Sequence, residues 1–420
     1  MGPDLLEEIR SALARHDWQG AFDAARVVAV DDPALAAERD DLLAEAAWWL
    51  GRLDDCIEAR EAAYRGFDEL GDSRRAGQCA VWLYEHHLFR ARPAIAGGWL
   101  QRARRSLEGD TECEAHGALQ LREAEAAHGR AAFDVALDLA RPALAVGRAL
   151  RSANLEAEAL QTIGRVLIDQ GHVVEGMAHL DEAMLFAVEG RLGPYSTGKV
   201  YCSLISVCED LGDLDRAAEW TEATMTWAHQ HPFAIFPGIC RVHRAVVLKR
   251  RGSLAEAEVE AARAAEELLG SHLGNTAAAY AEVGDICRRL GQLERAEAAF
   301  AQAEELRGQP CGAVALLRVA QGRTDAALAI VTGCLQSSAT PLGRATLLPI
   351  VVQVAIAAGE LDLARSARVE LDEVATALGT PLLLATALAA RGRVELATGD
   401  AAAARTTFEE VAEQGARGGH

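Results

Sequence analysis

The sequence predicts an all-α protein, a right-handed superhelical solenoid of about eleven helical hairpins. Three observations carry that expectation. Of 420 residues 86 are alanine and only 5% are aromatic, and the 50% apolar content rests mainly on Ala and Leu. Helices accommodate these residues at least cost, whereas sheets favour β-branched and aromatic types. Second, related phrases recur along the chain: LGRLDDC at 50, LGDLDRA at 211, RGSLAEA at 251, LGQLERA at 290, AGELDLA at 358 and TGDAAAA at 398. Third, the position five residues after the recurrent glycine is always small.

Taken in order, the turns fall at His16, Gly51, Ala91, Ala131, Gly171, Gly212, Gly252, Gly291, Gly322, Gly359 and Gly399. Their spacings are 35, 40, 40, 40, 41, 40, 39, 31, 37 and 40 residues. The small residues that follow are Ala21, Cys56, Ala96, Ala136, Gly176, Ala217, Ala257, Ala296, Ala327, Ala364 and Ala404. Two antiparallel helices approach closely only where the crossing residue lacks bulk, and glycine ends the first helix of each pair. An apolar plug two residues after the turn (Trp18, Leu53, Phe133, Val173, Leu214, Leu254, Leu293, Leu361) opens the second helix.

Irregularities mark joints. The 31-residue interval between Gly291 and Gly322, flanked by Pro310 and Pro341, predicts a bend between a first lobe, 1–308, and a continuous second lobe, 309–420. Prolines in HQHPFAIFPGIC (229–240) and GRLGPYSTGKV (190–200) predict longer connections there, and the tail GARGGH reads as frayed.

One repeat carries Tyr280, Gly284, Gly291, Ala296, Phe300 and Ala303 at the aromatic, Gly, Gly, Ala, aromatic and Ala positions of the tetratricopeptide repeat, which it resembles. The period near 40 residues, longer than that family's, implies longer helices. The Ala-, Leu- and Arg-rich texture and the phrases EALQTIGRVLIDQG and AHLDEAM resemble the sensor arm of actinobacterial LuxR-type, MalT-like transcriptional regulators. That resemblance implies a regulatory role. The ATP-binding and helix-turn-helix domains of such regulators have no counterpart motifs in these residues.

A net charge of −20 argues against direct nucleic-acid partners and against anionic membranes. The N-terminus MGPDLLEEIR carries acids where a signal peptide needs bases, and the most apolar stretch, 347–358, is shorter than the ~20 residues of a spanning helix. Nine scattered cysteines, never spaced as CxxC, suggest neither a disulfide framework nor a zinc cage. A cytoplasmic protein without metal or cofactor is expected.

Gly193–Lys199 fits the GxxxxGK half of a phosphate-binding loop, but Val200 stands where Ser or Thr must follow and no strand precedes it. It reads instead as a linker with a helix starting near Ser196. The adjacent His86 and His87 point about 100° apart on a helix and do not form a metal pair.

The first helix of each hairpin should line the concave face. Six residues before the turns stand Glu45, Glu85, Glu125, Arg165 and Ser206, and later Asp285; three before stand Trp48, His128 and Lys249. The groove therefore begins acidic and aromatic and turns basic toward Lys249, Arg288 and Arg289. Two aromatic groups, one around Trp82 and one around Tyr195, Tyr201 and Trp220, could wall a pocket or simply fill the repeats. Candidate ligand contacts are Glu45, Trp48, Trp82, Glu85, Glu125, His128, Gln161, Arg165, Tyr195, Lys199, Tyr201, Ser206 and Lys249.

The leading expectation is a binding module holding a peptide, partner protein or small effector. The alternatives are an enzyme acting on a hydrophobic molecule through Glu85, His86, Glu125 and Asp285, whose buried carboxylates would have raised pKa values, and a purely structural scaffold.

Overall fold

The computed structural model describes residues 2–230, 236–270, 272–306 and 311–418. Among them it contains 22 helices and no strand, paired into eleven hairpins. The first six pairs are α1 (Gly2–Ala14) with α2 (Trp18–Val27), α3 (Pro33–Trp49) with α4 (Leu53–Glu69), α5 (Ser73–Phe89) with α6 (Pro93–Ser106), α7 (Glu114–His128) with α8 (Phe133–Leu150), α9 (Ala153–Asp169) with α10 (Val173–Val188), and α11 (Pro194–Leu211) with α12 (Leu214–His229). The remaining five are α13 (Phe236–Arg250) with α14 (Leu254–Leu268), α15 (Leu273–Arg289) with α16 (Leu293–Glu305), α17 (Cys311–Ala320) with α18 (Thr324–Ser337), α19 (Pro341–Ala358) with α20 (Leu361–Leu378), and α21 (Pro381–Ala397) with α22 (Ala401–Gly418).

All eleven expected turn positions take the left-handed backbone conformation, from Ala91 at φ 50° to Gly171 at φ 93°. His16, Ala91 and Ala131 adopt it without being glycine, at ~1–2 kcal/mol each, because the reversal must occur where the first helix runs out. The apolar plugs are the first residues of α2, α4, α8, α10, α12, α14, α16 and α20. The small residues are all buried. Their purpose is plainest in the fifth hairpin, where a Cβ on Gly164 would stand 2.7 Å from the Gly176 carbonyl oxygen. There the two backbones touch.

The stack winds far enough to meet itself. One core joins Trp18, Trp48 and Trp49 of the first hairpins to Met225, Cys240 and Leu268 of the sixth and seventh. On the rim the Phe89 and His272 rings lie 4.3 Å apart, and Arg90 donates to the Gly270 carbonyl at 3.5 Å. Farther along, Leu382 of α21 lies against Gly212. Helix α19 is long and apolar enough by length and composition to cross a membrane; here Leu348, Val351, Val352 and Val354 are buried in the core.

Several expectations need correction or fall elsewhere. Helix α11 begins at Pro194, capped by Gly193, two residues before the expected start. Helix α22 runs to Gly418 where the tail was expected to fray. Cys334 is disulfide-bonded, whereas seven other cysteines are free. His231, Pro232 and Pro310, which mark the expected long connection and the bend at 308/309, lie outside the described residues, as does His420.

Candidate functional site

The inner helices α3, α5, α7, α9 and α11 enclose a cavity of about 480 Å³. Helices α3, α5, α7 and α9 contribute residues one or two turns apart on one face, the spacing that aligns side chains on a helix, and α11 contributes its first turn. Helix α3 gives Asp41, Glu45 and Trp48; α5 gives Gln78, Trp82, Glu85 and His86; α7 gives Glu114 and Arg122; α9 gives Asn154 and Glu158; α11 gives Tyr195 and Ser196, and Arg60 enters from α4. Asn154 fixes the last of these helices, its Oδ1 accepting from the Gly193 amide at 2.8 Å. That bond sets where Tyr195 projects.

Its floor is a buried network of charges. The Arg122 side chain, only 4% exposed, is forked among Glu85, Glu158 (2.6 Å) and Glu125 (3.2 Å). Lys199 Nζ reaches Glu125 at 2.7 Å and Glu158 at 3.4 Å. Tyr195 donates to Glu85 at 2.8 Å and Ser196 to Glu158 at 2.6 Å. Burial works against the charge on Glu158, yet Lys199, Arg122 and the Ser196 hydroxyl bring its carboxyl down to about 2. With carboxylates around its ammonium group, Lys199 is not placed to hold a phosphate.

The wall opposite is aromatic. Trp82 meets Tyr195 edge-on at 4.9 Å, Trp48 meets Tyr195 at 6.3 Å, and the His86 ring stacks on Trp48 at 5.1 Å and on Trp82 at 5.9 Å. Burial, helped by Arg60 and His87, pushes His86 well below the ordinary histidine range, so it is neutral. Its Nδ1 lies 3.6 Å from Cys56 Sγ. Arg60 pairs with Asp41. Glu45 is exposed along the cavity, yet the protein around it pushes its carboxyl upward, Arg60 opposing, Asp41 adding and a hydrogen bond from Trp49 opposing again. Neither Glu45 nor Glu114 makes an ion pair among the described residues; Glu114 accepts from the Ser152 hydroxyl at 2.6 Å.

Of the sequence candidates, Glu45, Trp48, Trp82, Glu85, Glu125, Tyr195 and Lys199 are brought together here, with His86. The others are dispersed. His128 pairs with Asp169 at 2.5 Å, and Arg165 bonds Ser206 at 3.3 Å and Asp210 at 3.1 Å. Gln161 is buried on α9. Tyr201 packs on Trp220 and Trp227, each 6.1 Å away, so only Tyr195 of the second aromatic group walls the cavity. Lys249 pairs with Glu282 at 2.5 Å and Asp285 at 3.1 Å.

The enzymatic quartet is thereby split. Asp285 belongs to the Lys249 cluster, and its carboxyl goes down to about 2, burial being outweighed by Lys249, Arg288 and Arg289. The raised pKa expected of Asp285 is thus reversed. The basic end of the groove is likewise neutralised by these acids. Among the described residues no group of three or more His, Cys, Asp or Glu side chains could hold a metal ion.

Arg122, Glu158, Asp41 and Arg60 were missed. A signal existed for two of them: Trp82 and Arg122 both stand nine residues before their turns, and Glu158 and Lys199 both thirteen before. These rows extend the same helix face as those at six and three.

A tetratricopeptide repeat model matches residues 277–310, the hairpin of Tyr280 and Phe300. No curated protein matches the chain. Among solved structures, a Rap protein complexed with competence and sporulation factor superposes with a TM-score of 0.52 at 14% identity, covering 91% of this chain and 100% of that one. The Cut9–Hcn1 hetero-tetramer of the APC/C gives 0.57 at 13% identity, covering 99% and 81%. At such identities the likeness is one of fold. This chain is a right-handed solenoid of tetratricopeptide-like hairpins.

Proposed function

We propose that this protein is a helical-repeat binding module of regulatory role, holding a peptide, a partner protein's segment or a small effector in the cavity on its concave face. The observation that carries the reading is the cavity itself. Its size is that of a ligand site, and five successive inner helices line it. A ligand touching Trp48 on α3 and Tyr195 on α11 together favours the wound coil over any looser one, because it binds only where those helices converge. The fold likeness to a Rap protein solved in complex with competence and sporulation factor supports the reading at the level of architecture. The regulatory role rests on the sequence resemblance to sensor arms.

The test is a thermal-shift panel of short peptides and metabolites against the wild type and against Ala118→Phe, which fills the cavity from α7. Compounds that raise the Tm of the wild type and not of the variant are expected. An empty panel, or shifts equal in both proteins, would refute the reading.

A further inference from the structure

We infer that the ligand of this cavity is a cation, an ammonium or guanidinium group on an apolar stem, received by Glu45 beside the Trp48 and Trp82 rings. The inference rests on the binding-module reading and narrows it to a ligand class.

Charge is the first argument. The lining holds five carboxylates, Asp41, Glu45, Glu85, Glu114 and Glu158, against two arginines, Arg60 and Arg122. Arg60 is taken by Asp41, and Arg122 by Glu85 and Glu158. Glu45 and Glu114 thus face the cavity without an ion pair. In a concave, half-open space such charge focuses its field on a counter-charge, an attraction that salt weakens.

The second argument is the chemistry of the walls. Indole and phenol rings attract cations over their faces. The protein already shows this combination at one end of the cavity, where the Lys199 ammonium lies 6.0 Å from the Tyr195 ring centre with Glu125 and Glu158 around it. Trp48, Trp82 and Glu45 repeat that set at the other end, with no cationic side chain paired to the carboxylate. A third, independent observation concerns Trp48. Its Nε1–H is buried in the wall with no hydrogen-bond acceptor, although indole N–H groups normally find one. As the wall stands this N–H presents no surface to the cavity; a small turn of the indole would open it to a ligand oxygen beside the cation, such as a peptide carbonyl. A cation next to a carbonyl is what an arginine or lysine residue, or its free amide, presents.

Two sources share this chemistry, a basic peptide and a free amine, and the experiment separates them. The protein is titrated by calorimetry and tryptophan fluorescence with argininamide and with Ala-Ala-Arg-Ala-Ala, each beside its neutral citrulline counterpart. The cationic form of at least one pair is expected to bind at least about tenfold tighter, about 1.4 kcal/mol, and more weakly as salt rises. Tighter binding of the pentapeptide than of argininamide identifies a peptide site; equal binding identifies a free-amine site. Glu45→Gln and Trp82→Leu should each weaken the cation by about tenfold or more. Equal affinity for arginine and citrulline forms, no binding of either cation, or unchanged binding to Glu45→Gln overturns the inference. A neutral or anionic compound whose thermal shift is lost in Ala118→Phe would overturn the cationic assignment while leaving the binding module standing.

Discussion

Two clusters of charge occupy the inner helices, and they have different fates. Around the cavity, Arg122 and Lys199 are shared among Glu85, Glu125 and Glu158 beneath an aromatic wall. In the seventh and eighth hairpins, Lys249, Arg288 and Arg289 converge on Asp285. The first set has more acids than bases and sits under a void; the second has three bases on two acids, Arg288 and Arg289 reaching Asp285 within four residues on α15 and Lys249 reaching Asp285 and Glu282 from α13. Charge at a repeated register is thus not sufficient for a site. What distinguishes the first cluster is that Tyr195, on a helix 110 residues away from Glu85, closes over it.

The comparison is most exposed at its two central cations. Arg122→Met should cost about 3–5 kcal/mol in urea denaturation, since it strands three carboxylates with only Lys199 left to balance them. Lys249→Met should cost less, ~1–3 kcal/mol, because Arg288 and Arg289 remain beside Asp285 and only Glu282 loses its partner. Equal losses would show that the two clusters are energetically alike.

Packing gives the next contrast. Gly164→Ala, in the hairpin that carries Glu158, drives a Cβ into the backbone of α10 and should cost ~1–3 kcal/mol. Gly284→Ala, in the hairpin of Asp285, meets a side chain, the Phe300 ring, rather than backbone and should cost less in the same measurement.

The two regions meet at His272, whose pKa burial lowers to about 4. Its Nδ1 accepts from the Asn275 amide and its ring rests on Phe89. An unfolded histidine titrates near 6.5, so between the two values the unfolded chain binds the extra proton. Stability from this residue is therefore full above about pH 6.5 and is lost as the pH falls toward 4. His86, with its pKa also lowered, acts in the same direction, whereas His243, raised by Glu209 against its burial, acts oppositely. His272→Gln should flatten the fall in Tm across that window. The smallest effect expected is that of Glu45→Gln, a slight rise in Tm at neutral pH, because the folded protein disfavours the charged carboxylate.

Much of this was legible in the chain. The turn positions, the small residues at the crossings and the plugs are local demands of backbone and packing, so a single period exposes them; even Ala91 and Ala131 were placed by spacing alone. Half of the site was legible too, because Glu45, Glu85 and Glu125 share one register. Arg122 and Glu158 escaped because the rows nine and thirteen residues before the turns mix Trp82 with Arg122 and Glu158 with Lys199, so no one charge repeats along them. The choice of Tyr195 over Tyr201 for the cavity depends on where Pro194 starts its helix and on the pitch of the coil, a sum of small rotations that no local pattern encodes.

The contact of Phe89 with His272 also bears on how the molecule folds. In an open stack each repeat is answerable only to its neighbours, and unfolding can creep in from the ends. Here the rim of the third hairpin touches the start of the eighth, and a common core ties Trp48 to Leu268. Such distant contacts raise the contact order and slow folding, and they bind separate stretches of the chain into one cooperative unit. Fraying of the first hairpins would loosen the seventh and eighth as well.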